Sequence, residues 1–579
     1  MGRASADMVI RNGKWVNVHS GEIISGTDVA TKSGRIAYVG PDANHTIGTA
    51  TQVIDAADRY LVPGLCDAHM HVESGMVTVT EFARAVIPHG TTSMFIDPHE
   101  IANVLGLAGV RLMHDEALTL PINVFVQMPS CVPSAPGLET PGASIGPDEV
   151  AEAMQWPGII GLGEMMNFPG VFTGDKKMHA EMARTREAGK VIGGHYASPD
   201  LGLPFHGYLA GGPADDHECT RMEEAIERVR RGMKVMMRLG SAWYDVAELV
   251  RAVTERGLDS RSFILCTDDS HSGTLVNDGH MNRVVRHAIA QGLNPVTAIQ
   301  MATLNAAEHF GLERELGSIA PGRRADIIIT GSLAELPIEM VIARGQVLAT
   351  GGRLTAELSP YKYPADAKQT VHLGTALTPA AFEVAAPGSA SSARVRSIGV
   401  IENQAPTRAL EVDLPVHNGI VLPDHTKDTA RIALVERHRG TGGVTNGFVT
   451  GFGFAGNCAV ASTVAHDSHH LIVVGTRNDE MALAANRLAE VGGGVVVFRD
   501  GKEIALVELA IAGLMSVERA EVVAEKAARM TDAFRECGCT LNNAFMQLSL
   551  LALVVIPELR ISDLGIVDVR EFRQVDLFV

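Results

Sequence analysis

LVPGLCDAHMH, residues 61–71, is the stretch on which the fold turns. It opens at a Pro-Gly turn, runs through an apolar segment and ends on His69-x-His71. Side chains alternate along a strand, so both imidazoles project from one face. Downstream the same pattern recurs: a short apolar run closes on a polar or charged residue and helix-length sequence follows. The runs are TTSMFID (91–97), INVFVQM (122–128), GIIGLGE (158–164), VIGGH (191–195), GPADDH (212–217), KVMMRLG (234–240) and SFILCTDD (262–269). With the first they make eight strand-like runs alternating with helices, the pattern of a (β/α)8 TIM-like barrel, α/β in class, over residues 63–316. GPADDH is the weakest of these as a strand, and the helix-like MEEAIERVRRGM (222–233) supports its place in the count.

Outside this region the texture changes. Residues 1–62 carry short β-type runs punctuated by turns (DMVIRNGKWVNV, SGRIAYVG, TQVIDAADRYLVPG), which suggests a small antiparallel sheet or β-sandwich. A similar texture returns at 317–370 (GSIAPGRRADIIITG, EMVIARGQVLATGG), as if the second segment completed the sheet with the barrel inserted between. Residues 371–579 form a further α+β domain. Its Gly-, Ser- and Ala-rich stretch APGSASSARVRS reads as a loop or linker, LIVVG and GGGVVVFRDGKEIALVEL as strands, and DEMALAANRLAEV and SVERAEVVAEKAARMTDAF as helices.

At 579 residues the chain exceeds one ordinary core. A net charge of −18 disfavours nucleic acid and anionic membrane as partners and leaves a small molecule as the expected one. The seven cysteines include no C-x-x-C pair, so neither a disulfide framework nor a Cys-ligated zinc is expected, and a cytoplasmic setting fits. The N-terminus lacks a signal-peptide core, and the longest apolar run, Leu548–Ile556, is short of a membrane span. We expect a homo-oligomer, a dimer.

At the C-terminal ends of barrel strands side chains converge on one open face. Those ends present His69, His71, Asp97, Glu164, His195, His217, Arg238 and Asp268. An H-x-H pair alone is a weak signal; joined by Glu164, His195, His217 and Asp268 in the same register it reads as a metal centre. Six ligands exceed what one tetrahedral ion needs. His69, His71 and Asp268 are therefore assigned to one ion, His195 and His217 to a second, with Glu164 bridging. Imidazoles with carboxylates suit Mn, Fe or Zn. Two cations sharing a solvent molecule would deprotonate it near neutral pH and supply a hydroxide nucleophile.

PGLCDAHMHVES, DPHE, GEMMNFPGV, GGHYASP, DDHE and CTDD resemble the amidohydrolase superfamily and, within it, the adenine deaminases. GRRADIIIT resembles that superfamily's return to its β-sandwich, and AHDSHHLIVVG the deaminases' C-terminal domain. The resemblance implies hydrolysis of adenine to hypoxanthine and ammonia at a two-metal centre, with manganese expected first and iron or zinc as alternatives. Many cyclic amidohydrolases carry a carboxylated lysine on strand four. Here Glu164 stands at that position, which argues against ring-amide hydrolysis. The other nucleobase-deaminase fold needs P-C-x-x-C after H-x-E; His114-Asp115-Glu116 matches only the first half.

In the expected reaction hydroxide attacks C6 and Asp268 takes its proton as general base. Glu73, Asp97, His99 and Glu100 are the candidates for acid work on the ring nitrogen and leaving amine, or else groups that orient the histidines. Asp269 could accept a purine N–H or serve as a helix N-cap. Arg238 could hold substrate, with ion pairing as its alternative. His466, His469 and His470 read as a solvated loop before LIVVG, with a loop folded over the barrel mouth as the alternative. Two further readings of the chain are an N-acetyl amino sugar deacetylase of the same superfamily, which would ordinarily lack residues after 370, and a non-catalytic metal-binding scaffold, which would be expected to have lost ligands.

Overall fold

The computed structural model describes residues 2–579. Six strands make one parallel sheet in the order Val191–Gly194, Ile159–Met165, Asn123–Met128, Thr91–Ile96, Leu65–His71, Asp268–Asp269. Asp215–Asp216, Lys234–Arg238 and Phe263–Cys266 make a second, also parallel. The two sheets touch at both margins. Ala214 N–H donates to the Ile192 carbonyl at 2.9 Å, and Thr267 N–H donates to Asp67 Oδ1 at 3.0 Å. The result is a curled parallel sheet with helices outside it. GPADDH contributes a strand of only two residues, Asp215–Asp216.

Most strands of the six-stranded sheet are buried along their whole length, as parallel strands covered on both faces must be. Inside the curl, Cys66, Ala68, Phe95, Phe125, Ile264 and Cys266 pack together. Met70, which shares their parity, packs in a different and larger cluster. The register against the neighbouring strand shifts between Asp67 and Met70. An irregularity of this kind re-aims the side chains beyond it, and His69 and His71 are brought to the open end of the curl rather than to the helical layer.

The flanking segments share one nine-stranded sheet. Ile327–Thr330 lies antiparallel to Tyr60–Pro63, with Ile328 opposite Val62. The second segment thus closes onto the first, and Met8, Ile10, Val29, Ile327, Ile329 and Ile342 fill one apolar cluster. The pairing is mixed, not purely antiparallel: Met8–Asn17 runs parallel to both Gln52–Asp55 and Tyr60–Pro63. The alternating texture reports half-buried strands but carries no signal of their direction.

The C-terminal residues build another nine-stranded sheet, backed by the helices Asn478–Val491 and Ala520–Glu536. The stretch read as a loop or linker is a loop only over residues 386–391 and is corrected beyond them: Ser392–Gly399 is a strand paired to Arg408–His417 along its full length. Ala393, Val395 and Ser397 alternate inward there, a period-two pattern masked by the small residues that precede it. Segments that follow this sheet in the chain dock on the parallel-sheet region. Ser516 N–H donates to the Met76 carbonyl at 2.9 Å, and Asp563 accepts the Thr140 N–H at 3.0 Å. Among the described residues no helix is long and apolar enough to cross a membrane.

Candidate active site

His71 ends its strand with Nδ1 at 2.9 Å from the Asp97 carbonyl. A carbonyl only accepts, so Nδ1 carries a proton and Nε2 is the atom turned to the site; burial pulls the imidazole down, but Glu100, Asp268 and Glu164 raise it well above its ordinary value. Nε2 faces Asp268 Oδ1 at 3.2 Å and Glu164 Oε1 at 3.4 Å. His69 Nε2 lies 3.6 Å from Asp268 Oδ1, and its ring stacks on that of His217 at 4.1 Å. On the other side of Glu164, Oε2 is 2.5 Å from His195 Nδ1 and 3.1 Å from His217 Nε2. Nitrogen and oxygen atoms of His69, His71 and Asp268 lie within 4.8 Å of one another, as do those of His69, Glu164 and His217, and those of His195, His217 and Glu218.

Burial alone would raise Glu164, but the charges and hydrogen bonds of His195 and His217 hold it well below the usual carboxylate range. Asp268 is likewise pushed up by burial and held far down by His69, His71 and Arg238. Both are anionic acceptors. His69 Nε2, Asp97 Oδ1, His99 Nδ1 and Glu100 Oε2 are buried without any hydrogen-bond partner. Buried polar atoms ordinarily find partners, so converging orphans of this donor chemistry fit divalent cations. Asp268 also sits at φ +61°, a left-handed conformation costly for a residue with a side chain. Strain of this kind, about 1–3 kcal/mol, persists where the surroundings impose it.

The second group of expected residues stands close by. Asp97 Oδ2 accepts the Glu164 N–H at 2.8 Å. The approach needs Gly163, since a Cβ there would meet Asp97 Oδ2 at 2.2 Å. Burial and then the charge of Glu164 push Asp97 up to about 7. His99 and Glu100 open the helix His99–Leu105. His99 Nδ1 is 3.4 Å from Glu164 Oε1, and burial with the charge of His71 lowers its imidazole to about 4. Glu73 accepts the Ile101 N–H at 3.3 Å and is pushed by burial to about 7. Glu100 is raised well above the usual carboxylate range by burial and by Glu73. Glu73 and Glu100 are therefore carboxyls that hold protons near neutral pH.

Asp269 accepts hydrogen bonds from Ser74 Oγ and, at 3.2 Å, Trp243 Nε1, and it lines the same cavity as His71 and Glu164. Arg238 is committed to three carboxylates: Glu218, Asp245 at 2.7 Å and Asp268 at 2.9 Å. Glu218 is the residue that strand-end reading passes over. It lies 3.5 Å from His217 Nε2 and bonds Arg238; its place directly after His217 in DDHE was the available signal.

The histidines of AHDSHH are not solvated, and that expectation is corrected. Asp467, Ser468, His469 and His470 are all buried. His470 Nε2 is 2.9 Å from the Thr140 carbonyl. His466 reaches the site, with Nδ1 3.9 Å from Glu100 Oε1. The segment lies under the catalytic region's loops because the C-terminal sheet docks there, which local polarity does not reveal.

Two family models match this chain: the amidohydrolase family over residues 60–348 and the adenine deaminase C-terminal domain over residues 404–573. An adenine deaminase of Mesorhizobium japonicum is 70% identical over 100% of this chain and 96% of the relative. Adenine deaminase 3 of Rhizobium meliloti is 68% identical, again over 100% of this chain and 97% of the relative. The chain belongs to the adenine deaminase family. A more distant member from Moorella thermoacetica remains 52% identical over 100% of this chain and 96% of its own length. Within this adenine deaminase family chain, all six ligand candidates fall in the first matched segment and His466 and Asp467 in the second.

Proposed function

We propose that this chain hydrolyses adenine to hypoxanthine and ammonia at the centre around Glu164. The observation that carries the proposal is one carboxylate shared between His71 and His99 through Oε1 and His195 and His217 through Oε2, in a chain whose full-length relatives bear the name adenine deaminase. His69, His71 and Asp268 would hold one divalent ion and His195 and His217 a second, with Glu164 common to both and manganese the expected metal. When bound, such ions acidify water and polarise the bond it attacks.

The chain's own groups supply the rest. Asp268, kept anionic by Arg238 and the histidines, takes the proton of the attacking water at its carboxylate. Glu100 and Glu73, kept protonated by burial, supply protons to the ring nitrogen and the departing amine. Asp269 accepts a purine N–H, and Arg238 orients Asp268 and Glu218. Asp97 and His99 fix Glu164 from behind. We further propose that the two parallel sheets close as one eight-stranded barrel over residues 63–316, with Phe263–Cys266 and Asp268–Asp269 counting as one strand interrupted at Thr267. In this architecture residues 1–62 and 317–370 fold as a sandwich and residues 371–579 as a separate α+β domain. The working assembly is a homodimer.

The test is a spectrophotometric screen of Mn-loaded protein against adenine, adenosine and an N-acetyl amino sugar. Adenine alone should turn over, at a kcat of about 1–1000 per second. Deacetylation of the sugar with adenine untouched would overturn the assignment.

A further inference from the structure

The cavity over the histidines has a volume of about 810 Å³ and does not end at the acids. Behind them lies a chamber of about 20 Å³ that shares Glu100, His466 and Met546 with the main cavity and is lined also by Glu73 and Ser74. On its far side Met76, His271 and Phe545 are shared with a third space of about 90 Å³. That space is walled by Val495, Val507, Met530 and Phe534. It ends at Thr531 and Asn542, both exposed at the surface.

We propose that the two small spaces form a back passage through which ammonia leaves, separate from the front opening used by the purine; this rests on the deaminase reading above. Size selects the traveller. A molecule as small as water needs about 10–15 Å³, so the inner chamber admits one such molecule and rejects a fused bicyclic ring. Chemistry places the entrance. When the C6–N bond breaks, the electron pair stays on nitrogen, a carboxyl proton completes NH3, and the oxygen from water remains on C6. Glu100 lines both the main cavity, beside His71, and the first chamber, so nitrogen released at that wall stands at the mouth of the passage.

Three buried atoms along the route have no hydrogen-bond partner: Glu73 Oε2, Glu100 Oε2 and His271 Nε2. A small N–H donor passing between them would satisfy each in turn. Beyond His271 the wall is mostly apolar up to the Thr531 and Asn542 rim, which costs neutral ammonia far less than it would an ion. A one-way arrangement follows, with the bulky product retreating to the front and the small one leaving behind the acids.

The experiment places a cysteine at the exposed rim, Thr531→Cys, and couples it to a bulky maleimide after folding; the native cysteines are all buried. A second variant, Ala527→Trp, fills the outer space from the helix Ala520–Glu536. Each is compared with unlabelled protein in stopped-flow and steady-state assays of adenine, and a crystal structure shows whether the passage is filled. With product release made limiting, kcat should fall by about tenfold or more, kcat/KM should stay within about twofold, and a burst of one hypoxanthine per site should appear. Wild-type turnover in a protein whose passage is visibly filled would overturn the proposal. So would slowing without a burst. Failure of the unlabelled protein to deaminate adenine would instead overturn the deaminase reading itself.

Discussion

Glu164 lies within 3.4 Å of four imidazoles, those of His71, His99, His195 and His217. No neutral group of the same shape could serve all four, because an amide offers one acceptor where the carboxylate offers two. Glu164→Gln therefore keeps the packing and removes the charge. We expect the purified variant to lose at least about one divalent ion per chain and to turn over adenine more than about a hundredfold more slowly. Metal analysis beside a turnover assay is the check. Full metal content with unchanged turnover would mean that Glu164 holds no ion. Its neighbour across the site, Asp268, illustrates a cost of the same design. Its φ of +61° is retained where His69, His71 and Arg238 all converge on its carboxylate.

At the scale of elements, the candidate ligands are held by joints between strand ends. Asp216 precedes His217, accepts the Tyr196 N–H at 2.6 Å and pairs with Arg228, itself buried and bonded to the Tyr196 carbonyl at 2.9 Å. One ion pair thus ties the turn after His195 to the turn before His217. Arg228→Met keeps the volume but strands a buried carboxylate, at a cost of about 3–5 kcal/mol. We expect a lowered Tm together with weaker retention of metal, measured by thermal unfolding and by dialysis against a chelator. A fall in Tm with metal affinity intact would separate the clamp from the centre.

The same elements show what could be read beforehand. His69, His71, Glu164, His195, His217 and Asp268 were visible because each closes a short apolar run, and strand ends converge whatever the loops between them do. The parity shift that turns His69 and His71 to the open end was not visible, since it depends on register with a neighbouring strand. The direction of pairing of Met8–Asn17 was hidden for the same reason. His466 was legible as chemistry but not as location: AHDSHH is polar like a surface loop, and only packing against the parallel-sheet region, distant in sequence, buries it. Glu218 was hidden by its neighbour, because the strand end was already taken by His217.

At the scale of the whole molecule, the seam between the parallel-sheet region and the C-terminal sheet is built on acids. Glu139 is buried there, bonded by Ser134 Oγ at 2.7 Å and the Ala135 N–H at 3.0 Å, with Oε2 lacking a partner. Burial, followed by the charge of Asp467 and, to a smaller degree, that of Asp563, pushes it up to about 8, from an ordinary value of 4.5. The folded protein therefore keeps this proton over a range in which the unfolded chain has released it. Stability follows the difference in bound protons, so this site's contribution is fully present below about 4.5 and is lost as pH rises toward about 8. Glu139→Gln can keep the acceptor for Ser134 and Ala135 and turn an amide toward Asp467 without ever ionising. Wild type and variant should unfold at similar temperatures near pH 5. At pH 8 the variant should be the more stable by about 1–3 kcal/mol, less than a rigid site would give because water and neighbouring groups relax around the charge. Thermal unfolding at the two pH values decides it. An advantage for the variant that does not grow with pH would show that Glu139 is already ionised in the folded protein, and that the acidic seam is held by its hydrogen bonds with no proton retained.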